Sequence, residues 1–250
     1  MNEDDVVEAI RPFTTGIGDD AALWQPSRSH RSAISSDMLV EGVDFTRDAM
    51  TLEDAGWRAM AANVSDLAAM GARPVLATIA LGLPEAVTLD EILQLYRGLA
   101  ACAKRWELAI VGGDLSRAGA LTIAISVVGE VRASNVKTRA GGRSGDVIAV
   151  TGELGAARAG LELTRKAGPI GEAAEGEALR AFRRPEPRVA EGRFLAASRN
   201  VTAMMDCSDG LSTDLRRLAS ASGCGAIVES IPVAPAARAV AQALAEDPER

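Results

Sequence analysis

A chain of 250 residues that is 48% hydrophobic can bury one large core or two modest ones, and the length favours two domains. Aromatic residues make up only 3%, and Tyr96 is the single tyrosine. With 34 acidic residues against 27 basic ones and a formal charge of −7, a surface built to stack bases or neutralise a phosphate backbone is excluded, and no nucleic-acid partner is expected.

Cys102, Cys207 and Cys224 are odd in number and lack C-x-x-C spacing, so neither a disulfide framework nor a zinc site is expected, and a reducing cytoplasmic setting fits best. The acidic start MNEDDVVEAI has no apolar h-region, and no run of about 18 apolar residues occurs. Neither a signal peptide nor a membrane span is expected.

Gly18, Asp19 and Asp20 form an acidic turn near the N-terminus. Short apolar runs at 32–35 and 43–45 have strand length, and Thr51 is a candidate N-cap for an alanine-rich helix from Leu52 to Met70 that stops at Gly71. A strand at 74–83, a helix over Leu89 to Arg105, a strand at 108–114 and a long strand at 121–131 complete a first α/β unit. The polar, glycine-rich segment 134–146 is the candidate junction, dividing the chain into domains 1–135 and 136–250. In the second, strands are predicted at 147–151, 201–206 and 226–230, helices near 156–166, 188–198 and 211–222, and a loose stretch around Gly168 to Gly176. A helix-like AARAVAQALAED follows.

The chemistry is expected from the aspartates. Asp37, Asp114, Asp206 and Asp209 follow apolar strand-like runs, and the carboxyl ends of strands border the ligand crevice of open α/β sheets. Asn63 and Asp66, three apart, share one face of a helix. Clustered carboxylates cannot all stay ionised near neutral pH without a cation among them. Magnesium, a hard ion held by carboxylates, water and substrate phosphates, suits such a set, whereas zinc would want the nitrogen and sulfur ligands that are scarce here. An isolated aspartate at a strand end is more often a turn or N-cap residue, so the argument rests on the coincidence of several.

Gly112 and Gly113 precede Asp114, where a missing Cβ lets backbone N–H groups approach a phosphate. Neither a P-loop nor a G-x-G-x-x-G fingerprint occurs. Ser208 has no histidine partner, since His30 is the only histidine, and Cys207 in its apolar run reads as core. No covalent nucleophile or general base is assigned. Phosphoryl transfer needs none, because positioning and charge neutralisation suffice.

The segments GIGDDAAL at 16–23, SSDMLVEGVDF at 35–45, NVSDLAAMGARP at 63–74, VGGDLSR at 111–117, SGDVIAVTGELGAARAGLEL at 144–163, RRPEPRV at 183–189 and DCSDGLSTDL at 206–215 resemble the thiamine-monophosphate kinase family. That family belongs to the aminoimidazole-ribonucleotide synthetase superfamily. The resemblance implies an α/β, α+β layered fold of two domains, the N-terminal one binding metal and nucleotide, with its strands joining those of a second subunit in a dimer barrel. It implies ATP- and magnesium-dependent phosphorylation of thiamine monophosphate to thiamine diphosphate by direct in-line transfer of the γ-phosphate. By motif position Asp20, Ser35, Ser36, Asp37, Asp66, Asp114, Asp206 and Asp209 would hold several Mg2+ ions, and Tyr96, Gly113, Asp114, Arg139 and Ser208 would contact ATP. Asp44 takes a substrate-contacting position.

The family carries a later glycine-glycine-glutamate-aspartate-tyrosine motif and an aromatic residue that hold the thiamine moiety, and the sequence ends at Arg250 before both. The metal and nucleotide half is therefore expected to be complete and the substrate half not. A magnesium-nucleotide binding remnant without kinase activity is the alternative. Another ATP-using enzyme of the superfamily is a third reading, although a selenophosphate-type enzyme would carry a reactive cysteine nearer the N-terminus than Cys102.

Overall fold

A four-stranded sheet whose two central strands alternate buried with more exposed residues needs a helical layer on one face only, and the first half of the chain builds that arrangement. A computed structural model describes residues 3–14, 26–165 and 171–244. Gly18, Asp19 and Asp20 lie outside the described residues. The chain divides into two compact units, Met1–Thr138 with Pro187–Asp206, and Arg139–Glu186 with Cys207–Arg250.

In the first unit β1 (His30–Val40), β2 (Arg73–Leu83), β3 (Ala109–Arg117) and β4 (Thr122–Arg132) form a mixed sheet in the order β1-β4-β2-β3. β1 and β2 both run antiparallel to β4, and β3 runs parallel to β2. Ile123, Ile125 and Val127 of β4 and Ala77, Ile79 and Leu81 of β2 point to the buried face. Two helices belong to that core, α2 (Leu52–Ala69) and α3 (Leu89–Arg105), and a short helix, α1 (Glu3–Ile10), contacts α3.

Both long helices open with a capping box. Thr51 Oγ1 accepts from the Asp54 N–H at 3.1 Å while Asp54 accepts from the Thr51 N–H, and Thr88 and Glu91 repeat the arrangement. The helices then meet backbone to backbone, since a Cβ on Gly98 would lie 1.8 Å from the Glu53 carbonyl oxygen and one on Gly56 would lie 2.2 Å from that of Leu95.

Several strands differ from expectation. β1 and β3 are longer than predicted, so Asp37 and Asp114 sit inside strands and not at their ends. Gly113 lies within the predicted strand, and the β2 backbone passes so close to it that a Cβ there would meet the Ile79 carbonyl oxygen at 1.7 Å. The run at 43–45 forms a turn with one bridge, Glu41 to Phe45.

The second unit contains α4 (Ala156–Arg165), α5 (Glu172–Arg183), α7 (Leu211–Ser222) and α8 (Pro235–Ala243), while α6 (Val189–Ala197) belongs to the first. Its small-residue core joins Ala159, Ala178, Val233, Ala236, Ala237 and Val240. The predicted strands at 147–151 and 226–230, like the one at 201–206 in the first unit, form no ladder among the described residues, and the described part of the second unit has an isolated parallel bridge, Leu154 to Val233. Strand propensity is expressed only when a partner strand completes the hydrogen bonds. Val147 and Ile227 are accordingly exposed, at 91% and 86%. Part of the stretch expected to be loose is helical, as α5.

Candidate functional site

β1 lies beside α2, and the polar residues of both gather at their junction. The Ser35 hydroxyl donates to Asp66 Oδ2. Asn63, one helical turn earlier and fully buried, accepts the Asp37 N–H at 3.0 Å and donates its amide to the Ala59 carbonyl at 3.0 Å. Ser65 donates to Asp206 Oδ2 at 3.2 Å, which ties the end of the 187–206 segment to the same helix.

The opposite face of the sheet holds Ser36 and Asp114. Ser36 donates to the Ile125 carbonyl at 2.9 Å and lies 3.1 Å from the Ser126 hydroxyl. Asp114 is paired in register with Ala80, whose neighbours Ile79 and Leu81 point into the core, so Asp114 stands on the face away from it. The sheet thus separates Asp114 from the Ser35, Asp37 and Asp66 group.

Asp44 accepts from the Val40 N–H at 2.8 Å and closes the turn after β1. Burial pulls the Arg58 guanidinium below its ordinary value, an effect opposed by the charge of Asp44. Arg58 is eight residues before Asp66 on α2, about 12 Å along the axis, so one helix carries a cation near Asp44 and carboxylate chemistry near Ser35. Arg47 fixes the same turn by pairing with Glu41 at 2.6 Å and with Glu91.

Tyr96 on α3 is 2% exposed and packs on Phe13, with ring centroids 6.0 Å apart. That burial pushes its phenol up to about 12.

Ser208, Asp209 and Arg139 belong to the second unit. Gly210, at φ 103°, is the N-cap of α7 and turns the chain after Asp209. Asp214, 3% exposed, accepts the Asp209 N–H at 2.9 Å and Arg217 Nη1 at 3.1 Å, and Arg217 also donates to Asp209 Oδ2. The Arg139 carbonyl accepts from Ser222, whose oxygen accepts the Gly142 N–H at 3.0 Å. Cys207 is exposed, against its expected place in a core strand, because no strand forms there.

The donors at the junction of β1 and α2 are all oxygens, which suits a hard divalent cation. Among the described residues no three histidines, cysteines or carboxylates come close enough to hold a metal ion. Asp66 is joined with the Ser35 hydroxyl and Asp206 with that of Ser65, and Asp20 lies outside the described residues. Arg58, Asp214 and Arg217 were missed as site residues. Their signal is helical spacing: Arg58 shares a stripe with Ser65 and Asp66, and Asp214 and Arg217 are three apart, behind Asp209.

A mixed sheet backed by long helices, with acid and hydroxyl pairs between β1 and α2, here stands in a chain that matches the AIR synthase related proteins. The chain matches the N-terminal domain of that class over residues 18–131 and its C-terminal domain over residues 143–249. It is 38% identical over 221 residues to thiamine-monophosphate kinase of Synechococcus elongatus, spanning 86% of this chain and 68% of the relative. The crystal structure of thiamine-monophosphate kinase from Stenotrophomonas maltophilia K279a matches with a TM-score of 0.83 at 34% identity, over 97% of this chain and 82% of the other. That of AaThiL complexed with AMPPCP and TMP matches with a TM-score of 0.80 at 31% identity, over 98% and 77%. The chain belongs to the thiamine-monophosphate kinase family.

Proposed function

We propose that this protein is a kinase that transfers the γ-phosphate of ATP to thiamine monophosphate, yielding thiamine diphosphate. The observation that carries the reading is the oxygen-lined junction of β1 and α2, where Ser35 meets Asp66 and Asn63 holds the backbone of Asp37, in a chain of this family. A relative solved with an ATP analogue and TMP supports both substrates.

The chain's own residues position and neutralise. Asp20, Ser35, Ser36, Asp37, Asp66, Asp114, Asp206 and Asp209 are assigned to Mg2+, and Tyr96, Gly113, Asp114, Arg139 and Ser208 to ATP. When bound, magnesium would supply charge neutralisation for the phosphoryl oxygens. Asp44, held by the Val40 N–H, is assigned to the acceptor substrate. No side chain is required as a covalent carrier.

The sheet face away from the helices carries Ile34 and Met38, 73% and 58% exposed. Apolar residues displayed together on an open sheet favour a second copy of the chain as their cover, so the working form is assigned as a homodimer. No helix among the described residues is long and apolar enough to cross a membrane, and a cytoplasmic site of action is part of the proposal.

The test is incubation of the purified chain with ATP, magnesium and thiamine monophosphate, with thiamine diphosphate measured by chromatography. Magnesium-dependent product is expected. ATP binding without product would favour the nucleotide-binding alternative, and neither would overturn the reading.

A further inference from the structure

The second unit holds an ion pair that the proposed reaction does not use. Arg217, on the second turn of α7, donates to Asp209 Oδ2 and to Asp214 Oδ1. The charge and hydrogen bond of Asp209 raise the Arg217 guanidinium above its ordinary value, with Asp214 adding to the effect. The two carboxylates differ in surroundings. Asp214 is almost wholly buried and holds the Asp209 N–H, so it fixes the turn, whereas the side chains of Asp209 and Arg217 are about half exposed.

We propose that Arg217 is a built-in counter-ion for Asp209, occupying its carboxylate when divalent metal is absent and yielding it when metal binds. The inference rests on the assignment of Asp209 to Mg2+ made above. A guanidinium and a metal ion would both draw on the Asp209 carboxylate, and two cations on one carboxylate repel, so each would weaken the other. The pair is exposed, and such ion pairs are cheap to open. Asp214 keeps its hold on Arg217 Nη1 and on the Asp209 backbone, so the exchange needs no rearrangement of the turn. Asp214 is thus a positioning residue and Arg217 a competitor of the metal.

The exchange has a use. Without a cation, Asp209 and Asp214 are two carboxylates five residues apart at one helix start, and Arg217 balances both. The loop therefore stays in the form that receives metal.

The experiment is binding of Mn2+ alone to the full chain, followed by electron paramagnetic resonance, for wild type, Arg217→Gln, Asp209→Asn and the double variant. Arg217→Gln is expected to tighten Mn2+ binding about threefold, of the order set by an exposed pair, and the gain should vanish when Asp209→Asn is also present. Arg216→Gln, which removes the same charge one residue away, should change nothing. Unchanged or weaker binding in Arg217→Gln, or a gain that survives Asp209→Asn, would overturn the competition. If Asp209→Asn alone leaves Mn2+ binding untouched, the metal assignment of Asp209 falls, and the inference with it. A second readout needs no variant: in a Mg2+ titration of the wild-type chain, the Arg217 Nε–H resonance should move and exchange faster with solvent, and a resonance unmoved at saturating Mg2+ would overturn the proposal.

Discussion

Ser65 of α2 donates its hydroxyl to Asp206 Oδ2 at 3.2 Å, joining two residues 141 positions apart in sequence within one unit. The hydroxyl orients a carboxylate assigned to magnesium. Ser65→Ala should raise the Mg2+ concentration needed for half-maximal activity several-fold while costing only about 1 kcal/mol of stability, the usual worth of one hydrogen bond. Magnesium titrations of the rate, beside a urea unfolding curve, check both parts.

Asp66→Asn and Asp114→Asn should each lower kcat by about 100-fold or more, since loss of charge-stabilising groups costs on that scale. The folded state should barely change in either case. The amide that replaces the Asp66 carboxylate can still accept from Ser35, and Asp114 stands on the open side of the sheet. Full activity in both variants would remove the metal assignment.

Tyr96 is the single tyrosine, so an ultraviolet titration of phenolate reads it alone. Its midpoint should lie near 12 in the folded protein, above the value of about 10 for an exposed phenol. The sign follows from burial disfavouring the phenolate: the contribution to stability is intact below about pH 10 and is lost as pH rises from there toward the folded value. A midpoint near that of a free phenol would mean that the Tyr96 hydroxyl is open to solvent.

Met38→Glu and Ile34→Glu place a charge on the apolar side of β1, where a second copy is assigned. Each should halve the mass measured by light scattering while leaving the circular dichroism spectrum intact, because both side chains are exposed in the single chain. A wild-type chain that is itself a monomer would overturn the assignment.

Local signals made the first unit legible. The Thr51 cap, the alanine-rich helix ending at Gly71, and the apolar runs at 74–83 and 121–131 match α2, β2 and β4 to within one residue at each end. Misreadings arose where a residue's role depends on partners distant in the chain. The close-packing role of Gly113 shows only once the Ile79 backbone is known to pass against it, and Asp37 looks like a strand end until β1 is seen to pair through Val40. In the second unit the apolar runs at 147–151 and 226–230 have strand composition but no ladder. The residue types of the site were visible in the motifs, whereas the pairings of Ser65 with Asp206 and of Arg217 with Asp209 and Asp214 depend on the fold.

The return of Pro187–Asp206 to the first unit sets an order for synthesis. α6 presses on α2 so closely that a Cβ on Gly192 would lie 2.2 Å from the Ala68 carbonyl oxygen, and Gly71 meets Ala196 in the same way. A nascent chain that has released β4 still lacks this cover, and the helix bearing Asn63, Ser65 and Asp66 must wait for the ribosome to deliver another stretch ending at Asp206. Residues 139–186 emerge in the interval, before α8 exists to complete their core. Both units are therefore unfinished at once during translation, and a pause or premature stop there would expose two partial cores to aggregation.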